Sequence, residues 1–155
     1  MPTADDAAPF ADWIERLAET HGGPIFVPHV TLLGEVAPAS DAAIDGVLRS
    51  RTPFPVTLVG LADSDARFRC ITVTAEREAP LVELHAALAD ACGVDGTPYE
   101  PHLSLLYAEM RAPERARVRN TVDLPLPRVV TVDAVHLVDT TDEASRWSIQ
   151  REWVL

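Results

Sequence analysis

Two short segments of this chain read almost alike, Pro28-His29-Val30-Thr31-Leu32-Leu33 and Pro101-His102-Leu103-Ser104-Leu105-Leu106, and their histidines stand 73 residues apart (102 − 29). Side chains alternate along an extended chain with a period of two. His29 and Thr31 therefore share one face, and Val30 and Leu32 share the other. His102 and Ser104 repeat that arrangement against Leu103 and Leu105. Each segment thus has an apolar face suited to packing and a face bearing an imidazole and a hydroxyl.

The surrounding pattern extends the repeat. Residues 7–20 place Phe10, Ile14, Leu17 and Ala18 at helical spacing, and His21-Gly22-Gly23-Pro24 ends that helix. Residues 27–36 read as a strand. Ser40 is placed to cap a helix bearing Ile44, Val47 and Leu48. Residues 53–61 and 68–75 read as strands joined by a turn at Ala62-Asp63-Ser64-Asp65.

The second half repeats this order. Pro80 opens a helix with Leu81, Leu84 and Leu88 on one stripe, and Gly93 ends it. Residues 103–107 form a strand, residues 112–120 an arginine-rich helix, and residues 129–138 and 147–154 two further strands. The order helix, strand, helix, strand, strand in both halves predicts an internal duplication. The expected fold is α+β and bilobal, a single domain over 1–155 with lobes of about 1–78 and 79–155 and possible exchange of elements between them. Two antiparallel sheets would flank a central cleft, with helices outside.

Composition limits what such a cleft can serve. Hydrophobic residues make up 47% of the 155, enough for a core, and no apolar run nears the roughly 18–20 residues of a membrane span. The N-terminal ten residues lack the basic start and apolar stretch of a secretory signal, so a cytoplasmic protein is expected. Cys70 and Cys92 form no CxxC pattern and read as small buried hydrophobes, not a disulfide. The net charge is −11, and every basic residue is an arginine. Such a surface repels a long phosphate backbone, while a few aimed donors can still hold a small anion in a pocket.

Facing histidines suit opening of a cyclic phosphate. One, neutral, takes a proton from the attacking water, and the other, protonated, gives one to the leaving ribose oxygen. Imidazole titrates near pH ~6.5, so both forms coexist near neutrality. The Thr31 and Ser104 hydroxyls can donate to the non-bridging oxygens, where charge collects. No cofactor is required. A zinc site built on His29 and His102 lacks a third ligand at metal-type spacing. Tyr107, at the end of its strand, reads equally as a ring that stacks on a base or ribose or as ordinary strand-end packing, and Phe68 is a second stacking candidate. Arg67 and Arg69, flanking Phe68, read as solvated strand-edge charges able in principle to meet a second phosphate. His21 falls in a turn, His85 reads as a rim residue of its helix, and His136 reads as structural.

Paired H-x-[ST] strands are the signature of the two-histidine (2H) phosphoesterases. Phe26-Val27-Pro28-His29-Val30-Thr31 and the segment from Pro98 through Glu109 closely resemble the plant and yeast cyclic phosphodiesterases. Phe68-Arg69-Cys70 and Asp139-Thr140-Thr141-Asp142 resemble them more weakly. The resemblance implies a bilobal fold around a cleft. It implies hydrolysis of nucleoside 2′,3′-cyclic phosphates to 2′-phosphates and of ADP-ribose 1″,2″-cyclic phosphate to the 1″-phosphate. It further implies His29 and His102 as the catalytic pair, Thr31 and Ser104 as phosphate ligands, and Tyr107 as an aromatic beside the substrate. One departure stands out. Such proteins begin with an apolar strand that often carries a tryptophan, and residues 1–10 offer none here. The resulting sheet edge would favour at most a weak dimer over a monomer.

Other readings make different demands. An RNA end-processing or 2′-5′ RNA ligase-like enzyme would present a basic surface around the cleft, which the charge opposes. A non-catalytic nucleotide-binding module would not need both H-x-[ST] copies.

Overall fold

The computed structural model describes residues 1–37 and 40–155. The first helix, α1 (Ala4–His21), opens on Thr3, whose hydroxyl accepts from the Asp6 amide while donating to the Asp6 carboxylate. This exchange satisfies an otherwise orphaned end of the helix. Phe10, Ile14, Leu17 and Ala18 are buried, the stripe that the periodicity picks out. Gly22 ends the helix at φ 71°, a left-handed conformation that costs glycine least. The next residue, Gly23, runs so close to Tyr107 that a Cβ would stand 2.8 Å from its carbonyl oxygen. The chain thus enters the site region in contact with the end of the second motif.

The remaining elements are α2 (Asp41–Leu48), β1 (Phe54–Asp63), β2 (Ile71–Ala75), α3 (Ala79–Cys92), β3 (His102–Leu106), α4 (Ala112–Thr121), β4 (Arg128–Val132), β5 (Ala134–Asp139) and β6 (Ser148–Val154). They make an α+β fold. An antiparallel four-stranded sheet runs β3-β2-β1-β4, and β5 pairs with β6 in a separate two-stranded sheet. The larger sheet takes two strands from each half of the chain. Its apolar face, including Val56, Leu58, Val73, Leu103, Leu105 and Val130, joins α1 in one continuous core. Removing a side chain such as Leu103, fully buried, would cost about 2–5 kcal/mol. Arg115 and Arg119 tie α4 to β1 through the part-buried Asp63 carboxylate. Asp45 on α2 accepts from Arg151 and Trp153 on β6. Both cysteines are free thiols, Cys70 buried and Cys92 partly so.

Several elements depart from the sequence expectation. Residues 27–36 form no strand but an irregular extended segment with a single antiparallel bridge, Val30 to Leu103. Their carbonyls are taken by side chains: Val27 accepts from His29, Thr31 from Tyr99, and Leu32 from His85. Pro24 and Pro28 have no amide to donate. The strand expected from residue 68 begins only at Ile71, because Arg67–Arg69 make a 3-10 turn closed by the Arg69 amide on the Ala66 carbonyl. The continuous strand expected over 129–138 divides at Asp133. There the amide bonds to Met1 and the carbonyl to Leu155, so the chain crosses from one sheet to the other. Residues 1–3 run along β4 with one bridge, Pro2 to Val132, instead of a full edge strand. Among the described residues no helix is long and apolar enough to cross a membrane.

Candidate active site

The site is built where β3 meets the segment before α2. The Val30–Leu103 bridge is antiparallel. Continuing its register one residue each way sets His29 opposite Ser104 and Thr31 opposite His102. The two motifs, distant in sequence, are brought face to face.

Each imidazole is anchored in the same manner. His29 Nδ1 lies 2.7 Å from the Val27 carbonyl oxygen, and His102 Nδ1 lies 2.8 Å from that of Glu100. A carbonyl only accepts, so Nδ1 carries the hydrogen and Nε2 is the nitrogen left for chemistry. Both histidines are half-buried. Burial pushes both imidazoles below the usual histidine range. For His29 the like charges of His102 and His136 add to that effect, and for His102 the Arg69 guanidinium does.

The hydroxyls differ in surroundings. Thr31 is exposed and borders an open groove of about 370 Å³ beside His102, walled by residues 31–35 on one side and 94–100 on the other. Ser104 is 4% exposed and donates to the Phe68 carbonyl oxygen at 3.0 Å. Arg69 lines the groove and meets Glu100 at 2.9 Å. Arg67 instead packs its guanidinium over the Phe68 ring.

Tyr107 is in a different position from a ring waiting to stack on substrate. It is 4% exposed, Phe26 stacks on it with centroids 3.9 Å apart, and Phe68 meets it edge-on at 5.3 Å. Its hydroxyl lies 3.4 Å from His29 Nε2, and burial pushes that phenol up to about 12. Phe68, 50% exposed, is open to a ligand. Trp147 packs against Phe68 and Tyr107 with centroids at 5.7 and 5.8 Å, and its indole donates to the Asp142 carbonyl. The sequence pattern did not single out Trp147, because it reads as the first residue of an ordinary strand. The one signal was an aromatic placed directly after a loop.

His85 is a correction to the rim reading. It is 6% exposed, with both ring nitrogens on backbone carbonyls. His136 pairs with Glu152 at 2.9 Å across the β5–β6 ladder. Among the described residues, no group of three or more histidine, cysteine or acidic side chains is placed to hold a metal ion.

The profile of the 2′-5′ RNA ligase superfamily matches residues 5–144, and the chain belongs to that superfamily of two-histidine phosphoesterases. An Arabidopsis thaliana protein named cyclic phosphodiesterase is 28% identical over 124 residues, which span 74% of this chain and 66% of that protein. Among solved structures, Escherichia coli LigT in its apo form superposes with a TM-score of 0.60 at 23% identity, covering 95% of this chain and 91% of LigT. LigT complexed with 3′-AMP gives 0.59 at 22% identity, covering 96% and 92%. A Thermus thermophilus protein gives 0.64 at 18% identity, covering 100% and 93%. These structural likenesses are of fold.

Proposed function

We propose that this protein hydrolyses small cyclic phosphates by metal-independent acid–base catalysis: nucleoside 2′,3′-cyclic phosphates to 2′-phosphates, and ADP-ribose 1″,2″-cyclic phosphate to the 1″-phosphate. The observation that carries the reading is the matched anchoring of His29 and His102. In both, a backbone carbonyl holds Nδ1–H and leaves Nε2 as the reactive atom.

We assign His29 as the base, because burial and neighbouring imidazoles favour its neutral form. Its Nε2 lone pair takes a proton from water as that water attacks phosphorus. His102 lies less deep, and the Glu100 carboxylate offsets part of the lowering that burial and the Arg69 guanidinium impose, so it is the member of the pair that keeps a proton more readily. It delivers the Nε2 proton to the leaving ribose oxygen. The phosphorus–oxygen bond to the new hydroxyl forms as the ring bond breaks, and one water is consumed. Thr31 donates to a non-bridging oxygen, and Ser104, whose single hydroxyl hydrogen is held by the Phe68 carbonyl, does so on turning away from it. Phe68 and Trp147 flank the nucleoside. The matched motifs also support descent of the two halves from a duplicated unit.

The Arabidopsis relative's name and the 3′-AMP complex of LigT support a small nucleotide as ligand. The acidity of the chain weighs against a long RNA. The test is turnover of a nucleoside 2′,3′-cyclic phosphate in EDTA by wild type, His29→Ala and His102→Ala. A single monophosphate isomer is expected from wild type, with each variant slower by roughly 10²–10⁴. A folded wild type inert on this substrate and on ADP-ribose cyclic phosphate would overturn the reading.

A further inference from the structure

His85 lies on α3, outside the histidine pair. Its Nδ1 stands 2.8 Å from the Leu32 carbonyl oxygen and its Nε2 2.8 Å from that of Gly96. Both partners can only accept, so both ring nitrogens must donate, and a ring that donates twice is an imidazolium. A neutral ring would set a lone pair against one of the carbonyls. The ring lies flat on Tyr99, with centroids 3.8 Å apart and planes 4° apart, an arrangement that favours a cation over a π face. The Glu35, Asp95 and Glu100 carboxylates and the Arg69 guanidinium line the groove that His85 borders.

The Tyr99 hydroxyl continues the contact, donating to the Thr31 carbonyl at 3.3 Å. The stacked pair therefore grips two consecutive carbonyls, Thr31 and Leu32, of the segment that bears the Thr31 hydroxyl. Through Gly96 it ties that segment to the loop leading into His102. The segment has little ladder pairing of its own, only the Val30 bridge. Gly96 makes the close approach possible, since a Cβ there would stand 2.5 Å from His85 Nε2.

We infer that His85, doubly protonated, is a positioning residue that fixes the Thr31 hydroxyl against His102 without touching substrate. The kinetic half of this inference rests on the proposed phosphate role of Thr31, whereas the charge state stands on the hydrogen bonds alone.

Two measurements test it. Nitrogen NMR of the wild-type ring at about pH 7 should show both His85 nitrogens protonated, and a single neutral tautomer would overturn the charge state. His85→Gln keeps one donor and should lower kcat/KM roughly 10- to 100-fold, the scale of a 1 Å misplacement. In a Thr31→Ala background the same change should cost less than about twofold, because the group it positions is gone. Equal losses in both backgrounds would overturn the positioning role. Gly96→Ala, which displaces the ring, should reproduce the loss and its dependence on Thr31, and it replaces His85→Gln if that variant fails to fold. If wild type turns over no cyclic phosphate, the functional reading falls, while the NMR result still decides the charge state.

Discussion

Val30 pairs with Leu103 across one antiparallel bridge, and each stands one residue after a motif histidine. The register places the hydroxyl of each motif across from the histidine of the other. The two hydroxyls nonetheless differ in what else they hold. Ser104 is buried and bonded to the Phe68 carbonyl, whereas Thr31 is exposed. Ser104→Ala should therefore cost about 1 kcal/mol of stability by leaving a part-buried carbonyl without its donor. Thr31→Ala should stay within about 0.5 kcal/mol of wild type. Both should lower kcat, by roughly 10²–10³ if each aids the charged transition state. Urea titrations alongside steady-state rates check this, and equal stabilities for the two variants would contradict the assignment.

The histidine environments set a pH dependence. His29 and His102 both bind protons less readily when folded than in the unfolded chain, where imidazole titrates near about 6.5. The unfolded state takes up more protons on acidification. Their contribution to stability is thus complete above about pH 6.5 and is lost as pH falls through the lower folded values. The urea midpoint should drop between about pH 7 and pH 5, and drop less in the His29→Ala/His102→Ala double variant. For catalysis the base must be neutral and the acid protonated, so with both values lowered kcat/KM should peak on the acid side of about pH 6.5. A maximum above about pH 8 would show that these groups are not the titrating pair.

Tyr107 should matter through its hydroxyl. Tyr107→Phe keeps the stack on Phe26 and loses the hydroxyl's contacts with His29 Nε2 and Ser104. Stability should change by about 1 kcal/mol or less, the net worth of one hydrogen bond. Catalysis should fall roughly tenfold as the imidazole loses a restraint. An unaltered kcat would make Tyr107 a packing residue only.

Phe68 and Trp147 should act on binding. Stacking on a base is worth about 1–3 kcal/mol, so Phe68→Ala or Trp147→Ala should raise KM roughly tenfold or more with kcat nearly kept. Inhibition by a nucleoside monophosphate should weaken in parallel, whereas inhibition by inorganic phosphate should not. Loss of kcat without change in KM would place these rings elsewhere in the reaction.

What was legible in the sequence was local. The α1 stripe of Phe10, Ile14, Leu17 and Ala18, the ends of α1 and α3 at Gly22 and Gly93, and the polar face of β3 follow from periodicity and backbone preference, which neighbouring residues decide. The matched H-x-[ST] segments were legible because two copies of one pattern reveal a shared demand. Tertiary contacts decided the rest. Residues 27–36 have the composition of a strand, yet side chains from His85 and Tyr99, more than 50 positions away, occupy their carbonyls in place of a ladder partner. Tyr107 read equally as a stacking ring or as strand-end packing until Phe26 covered it, and His85 looked peripheral until two loops closed over it. Hydrogen-bond partners remote in sequence leave no periodic trace, so the roles they confer emerged only with the folded chain.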